Sequence, residues 1–320
     1  ATTGRFGYVG DVSSAVSSAT GYGQILSALT LCAPLAVAAA AIQVFQERRR
    51  RARTTMAVLF LVELAFGAAA GGKQSFVVAA LAVVIPFCAA RRRLPKVVLL
   101  TLIFLFLLVV VPFNQAYRSA VRGDSATLSP RQALAAAPGI LRDTLIGHNV
   151  LTVVPVSLNL TLERVQEIDA PAIIIQRTPG QILYSDFAEL FEAPLLGIVP
   201  RAVWHSKPIM DTGYQFSQQY YGLPSTLYTS SAITPIGDLY RHGGWVPVIG
   251  GMFLLGCAIH MLDRALNIRD NPQAIFLVLL LFPALVKGEV DWVTLLAGIP
   301  TTLLLWWVTV RITFRARPRA

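Results

Sequence analysis

The chain has 320 residues, 55% of them hydrophobic and 14% charged, with a mean hydropathy of +0.60. A soluble globular domain carries about 25% charged residues, so ordinary soluble folds are excluded. The formal charge of +10 arises from 27 Lys and Arg against 17 Asp and Glu. It has two explanations: a basic face for a polyanion, or the Arg and Lys asymmetry of a chain threaded repeatedly through a membrane.

Position along the chain decides between them. Apolar runs long enough to cross about 30 Å of hydrocarbon occupy 22–45, 54–70, 74–90, 97–113, 244–262 and 292–312. A shorter run, 272–286, is broken by Pro283. It is retained as a span because the basic tail would otherwise emerge on the wrong side. The cations between the runs fall in blocks: Arg48 to Arg51 with Arg53; Arg91 to Arg93 with Lys96; Arg264 and Arg269; Arg311, Arg315, Arg317 and Arg319. Every second connection is basic. Placing all four blocks in the cytoplasm puts the N-terminus of the chain outside, the C-terminus inside, and 114–243 outside.

The expected fold class is therefore all-α, a polytopic membrane helix bundle with a long, partly helical extracytoplasmic loop. Residues 1–113 supply an outer segment and four spans, 114–243 a functional loop, and 244–320 three spans and a basic cytoplasmic tail. Cys32, Cys88 and Cys257 all fall within spans and read as small apolar packing residues. The chain begins with Ala1 in a polar stretch, which suggests the C-terminal portion of a longer membrane protein.

The segment 114–243 is too long for a plain connection. It holds apolar clusters such as ILYSDFAELFEAPLLGIVP and a helix start at Ser129-Pro130. The stretch 139–162 reads as an interfacial or re-entrant helix. With nine Lys and Arg against ten Asp and Glu in the segment, any anion site there is local.

Two clusters concentrate chemistry. IVPRAVWHSKP brings Arg201, Trp204, His205 and Lys207 together between Pro200 and Pro208, and TPIGDLYRHGG carries Asp238, Tyr240, Arg241 and His242 directly before the fifth long run. Guanidinium and ammonium groups at an outer membrane surface suit a pyrophosphate or an acidic sugar, and His or Asp beside them suits a general base. The alternative reading makes Trp204 and Trp245 interfacial anchors and sets the cations among lipid headgroups. Lys73, after Gly71-Gly72 in GGKQSF, and Arg118, Arg122 and Arg177 are further cations outside the basic blocks. Glu63 is an ionisable group near mid-span. His260 reads as a packing residue. The acidic pair Glu289 and Asp291 contributes to the lining of an outer cavity.

The sequence contains no phosphate-binding glycine loop, no H-E-x-x-H and no C-x-x-C. An outward-facing enzyme of this kind acts on a substrate that arrives activated, such as a lipid pyrophosphate. No cofactor, metal or nucleic acid is expected.

The order of four helices, a long outer loop with PRAVWHSKP, and GDLYRHGGWVPVIGGMFLLGC entering a glycine-rich helix resembles the bacterial O-antigen and exopolysaccharide repeat-unit polymerases of the Wzy type. The GGKQSF turn is similar to a small-residue, basic turn of that family. The resemblance implies a multi-pass glycosyltransferase of the bacterial cytoplasmic membrane. Such an enzyme transfers glycan from undecaprenyl pyrophosphate to a lipid-linked repeat unit at the outer face, with a chain-length regulator and a flippase as expected partners. It also implies that Arg201, Lys207 and Arg241 contact pyrophosphate or glycan, that Trp204, Tyr240, Lys73, Arg177 and Arg118 complete the substrate surface, and that Asp238, His242 or His205 handles the proton. The family's R-x10-G pattern has its nearest counterpart in Arg201 and Gly213, one residue wider. An O-antigen ligase and a polysaccharide or lipid transporter are the alternatives: a ligase would leave lipid-linked polymer when inactivated, and a transporter would need a charged path through the bundle.

Overall fold

The computed structural model describes residues 5–6, 9–10, 29–46, 50–123, 126–127, 130–146, 150–166, 168–199, 203–204, 207, 212–225, 230–268, 271–286 and 290–315. These are overwhelmingly helical. The strands among them are two minimal antiparallel ladders, β1 (Arg5–Phe6) with β2 (Val9–Gly10) and β3 (Arg122–Gly123) with β4 (Ala126–Thr127). The chain divides into two compact units built on Leu29–Glu163 and Arg164–Ala320. The segment 114–243, expected as one loop domain, is thus shared between them.

In the first unit α1 (Cys32–Phe45), α2 (Arg50–Ala70) and α3 (Lys73–Arg91) pack against one another. Small residues make this packing close. Val37, Ala38, Ala41, Ala79 and Ala82 are fully buried, and a Cβ on Gly67 of α2 would stand 2.7 Å from the Ser75 Cβ of α3. Next come α4 (Lys96–Leu105), one π-helical turn (Phe106–Val110) and α5 (Val111–Val121). Together they form an apolar stretch from Lys96 to Ala120. This passes the expected end at Phe113 and places Asn114, Tyr117 and Arg118 on a helix.

That extension has a purpose at the α2–α3 turn. The last carbonyls of a helix lack intrahelical donors. Here Tyr117 Oη donates to the Ala69 carbonyl at 2.7 Å and Asn114 Nδ2 donates to the Gly71 carbonyl. Helix α6 (Pro130–Ile146) packs on α5 around Phe113, Tyr117 and Ala133, and α7 (Val150–Gln166) follows. The stretch 139–162, expected as one helix, belongs to two.

The second unit contains α8 (Asp169–Arg177), α9 (Glu189–Ile198), α10 (Thr212–Tyr221), α11 (Pro235–Arg241), α12 (Trp245–Ala265), α13 (Pro272–Val286) and α14 (Trp292–Arg315). Its core gathers Ile174, Leu190, Phe216, Leu239, Val248 and Trp292. Helix α9 lies against α14 so closely that a Cβ on Gly197 would meet the Ala297 carbonyl oxygen at 2.1 Å. The indole of Trp306 on α14 donates to the Gln273 carbonyl of α13 at 3.0 Å.

Among the described residues, five helical stretches are long and apolar enough to cross a membrane: Arg51–Ala70, Lys73–Arg91, Lys96–Ala120, Trp245–Ala265 and Trp292–Phe314. The expected first span survives as the shorter Cys32–Phe45, with 22–28 outside the described residues, and the expected seventh is the 15-residue α13. Large apolar side chains such as Val97, Leu100, Ile249 and Phe253 point outward from the long helices, a distribution compatible with a multi-pass membrane protein.

Candidate functional site

The cluster TPIGDLYRHGG folds as its residues dictate. Thr234 caps α11, its Oγ1 accepting the Gly237 N–H at 3.2 Å, and Pro235 occupies the first turn, where its missing N–H costs nothing. A Cβ on Gly237 would lie 2.9 Å from Ile174 Cδ1, so glycine lets α11 approach α8. At the other end Gly244 has φ +73°, a conformation open to glycine at no steric cost. It turns the chain directly into α12. Asp238, Arg241 and His242, at i, i+3 and i+4, therefore share one face.

That face is buried: Asp238 is 0% exposed, and Arg241 and His242 are 2%. Asp238 Oδ1 accepts from Arg241 Nε at 3.2 Å and Nη2 at 3.0 Å, while Oδ2 accepts the Val293 backbone N–H at 3.1 Å. His242 Nδ1 lies 2.7 Å from the Asp238 carbonyl oxygen, and Nε2 lies 3.2 Å from Glu189 Oε2. Arg241 Nη2 is 4.0 Å from the same Glu189 oxygen. Glu189, in the first turn of α9, has a side chain 49% exposed and is the one member of this network that reaches the surface.

A second carboxyl stands beside Asp238. Asp291 Oδ1 accepts the Thr294 N–H at 2.8 Å, so Asp238 and Asp291 together satisfy two first-turn donors of α14. Burial, and next the charge of Asp238, push the Asp291 carboxyl above its ordinary range, opposed by the hydrogen bonds from Thr294.

Next to this polar corner opens an apolar groove of about 750 Å³, lined among others by Phe187, Gly243, Gly250, Leu262, Leu285 and Ile299. It follows α12 from Val246 to Leu262, about 24 Å at 1.5 Å per residue. Gly243 adjoins His242, and Phe187 lies two residues before Glu189. The corner thus stands at one end of the groove.

The structure revises several expected roles. Asp238, expected as a base, has both oxygens occupied in a fully buried site. It is an organiser that holds Arg241 and caps α14. Arg241, expected on pyrophosphate, is enclosed behind Glu189. Lys207 is 3% exposed, and its Nζ donates to the carbonyl of Val199, the C-cap residue of α9, at 3.0 Å. Arg177 Nη1 donates to the Tyr220 carbonyl in the last turn of α10 at 2.7 Å. Both cations sit where a helix C-terminus attracts positive charge.

Tyr240 is 8% exposed and meets Trp245 edge-on at 5.3 Å, whereas Trp204 is exposed. Lys73 and Arg118, both half-buried, belong to the first unit, as does the buried Glu63; His260 is exposed on α12. Arg201 and His205 lie outside the described residues, as does Glu289. No group of three or more metal-ligating side chains occurs among the described residues. Glu189 is the residue that sequence reasoning missed. Its only local signal is an acidic residue at the start of an apolar helix.

Residues 8–267 match the family model described as Domain of unknown function (DUF8712), and the chain belongs to that family. No curated protein and no solved structure matches it.

Proposed function

We propose that the chain is a multi-pass membrane glycosyltransferase that polymerises undecaprenyl-pyrophosphate-linked oligosaccharide repeat units at the outer face of the bacterial cytoplasmic membrane. The observation that carries this reading is the junction of a long apolar groove with a built network of ionisable side chains. In this reading part of a polyprenyl tail lies along the groove, and the attached glycan meets the polar corner. The corner lies at the starts of α12 and α14, while Arg264, Arg311 and Arg315 lie toward their other ends. The bias of Arg and Lys toward the cytoplasm supports an outer position for the corner.

In this reading the transferred sugar leaves a pyrophosphate, and the acceptor hydroxyl must give up its proton. Arg241 is a fixed positive charge behind the surface, held in place by Asp238 before the reaction begins, which is how preorganised charge favours a transition state. Arg201, of the same stretch of sequence as Lys207, remains the candidate for direct phosphate contact.

The test is the lipid-linked glycan profile of a host deleted for this chain. A polymerase leaves single lipid-linked repeats, and the wild-type gene restores polymer. Accumulation of lipid-linked polymer instead would identify a ligase, and an unchanged profile would refute both.

A further inference from the structure

His242 makes two contacts that constrain its protons. Nδ1 faces a backbone carbonyl oxygen, which only accepts, so Nδ1 must carry hydrogen. Nε2 faces a carboxylate oxygen, which also accepts unless it is itself protonated. With neither a second imidazole proton nor a carboxyl proton, lone pairs would face each other at 3.2 Å. One proton therefore belongs to the His242–Glu189 pair as a unit. Among the described residues, the other charged or titratable groups near the pair include Asp238 and Arg241 on α11, Asp291 before α14, and Tyr184 and Asp186 on the segment leading to α9.

We propose that Glu189 is the general base of the transfer and that His242, as an imidazolium, is its positioning residue. This deepens the glycosyltransferase reading and rests on it. Glu189 Oε2 is held by His242, with Arg241 Nη2 at 4.0 Å, and Oε1 is the oxygen left for substrate. The acceptor hydroxyl donates to Oε1. Its oxygen forms the new bond to the anomeric carbon, the bond from that carbon to the pyrophosphate oxygen breaks with its electron pair going to the pyrophosphate, and the hydroxyl proton ends on Glu189. The set Asp238, Arg241, Glu189 and imidazolium His242 goes from net zero to one positive charge as the leaving group gains one negative charge. No further reactant is needed.

The experiment uses the full chain in proteoliposomes, with lipid-linked oligosaccharide extracted from the deleted host as the probe. Glu189→Gln keeps the size and polarity of the side chain and should lower kcat about 100-fold or more, the scale of a lost general base, with KM within about threefold. It should also remove the acid limb of the pH–rate profile. His242→Gln removes the ring that holds Glu189 Oε2, so kcat should fall while KM stays within about threefold of the wild type. Glu192→Gln, one turn along α9, should match the wild type. Wild-type-like kcat and acid limb in Glu189→Gln would overturn the assignment while leaving the glycosyltransferase reading intact. A wild-type protein without transfer would instead overturn that reading. The proton itself is read from ¹⁵N spectra of the histidine-labelled protein at neutral pH. Both ring nitrogens of His242 should be protonated in the wild type and only Nδ1 in Glu189→Gln, and a neutral wild-type ring would overturn the shared-proton inference.

Discussion

Two long apolar helices begin in opposite ways. Helix α3 starts on Gly72 with no side-chain cap, and its first residue is Lys73. Helix α14 starts beneath two carboxyls, Asp291 on the Thr294 N–H and Asp238 on the Val293 N–H. The first turn of a helix carries partial positive charge and unsatisfied donors. At α14 both are answered from within the protein, and the cation nearby, Arg241, is held by the same Asp238. At α3 the cap is left to glycine while Tyr117 and Asn114 attend to the preceding helix's carbonyls. The second unit has therefore built a corner of mutually paired ionisable groups that opens to the surface at Glu189, and the first has a basic turn with no side-chain cap. The contrast teaches that this chain settles the same helix-start requirement with carboxylates in one unit and with glycine in the other.

The strongest way to break the contrast is Asp238→Ala. It leaves Arg241 buried without its carboxylate and Val293 without its acceptor, so stability should fall by about 3–5 kcal/mol, measured by denaturation in detergent micelles. Gly197→Ala attacks the packing that brings α9 to α14. Since its Cβ would fall on the Ala297 backbone, a loss of about 1–3 kcal/mol is expected in the same measurement. On the other side of the comparison, Tyr117→Phe removes the hydroxyl that serves Ala69 and should cost about 1 kcal/mol.

The smallest effect sharpens the α14 end. Asp291 has a raised pKa in the folded protein, so the native state holds its proton more tightly than the unfolded chain does. Its contribution is fully present below the unfolded value near 3.8 and is lost as pH rises through the folded value. Asp291→Asn, which retains an oxygen for the Thr294 N–H, should remove this fall. The melting temperature of the variant should decline less than that of the wild type as pH rises from below 4 to 7.

Much of this was legible locally. The apolar run 272–286 coincides with α13, Pro130 opens α6, and the DLYRHGG residues converge because i, i+3 and i+4 share a helical face. What local pattern could not supply were partners distant in sequence. Asp238 meets Val293 across 55 positions and His242 meets Glu189 across 53, so neither the buried pairing of Asp238 nor the contact of Glu189 with His242 could be read from the residues beside them. Lys207 and Arg177 look like substrate cations until the ends of α9 and α10 are known. At those ends each answers a helix carbonyl. The helical continuation past Phe113 was hidden because polar Asn114 and Gln115 resemble the start of a loop, whereas α5 uses Asn114 and Tyr117 to close the α2–α3 turn.

The central claim is that groove and corner form one site for a lipid-linked glycan, and Gly250 gives it a direct test. Gly250 lines the groove, and a Cβ there would meet nothing within 4 Å, unlike neighbouring Gly251, whose Cβ would strike Leu239 at 2.7 Å. Gly250→Phe therefore adds bulk to the groove lining at a position where the new Cβ meets none of the protein's own atoms. Transfer of lipid-linked oligosaccharide by this variant in proteoliposomes should be abolished while its melting temperature stays at the wild-type value. Wild-type transfer by a folded Gly250→Phe protein would contradict the account.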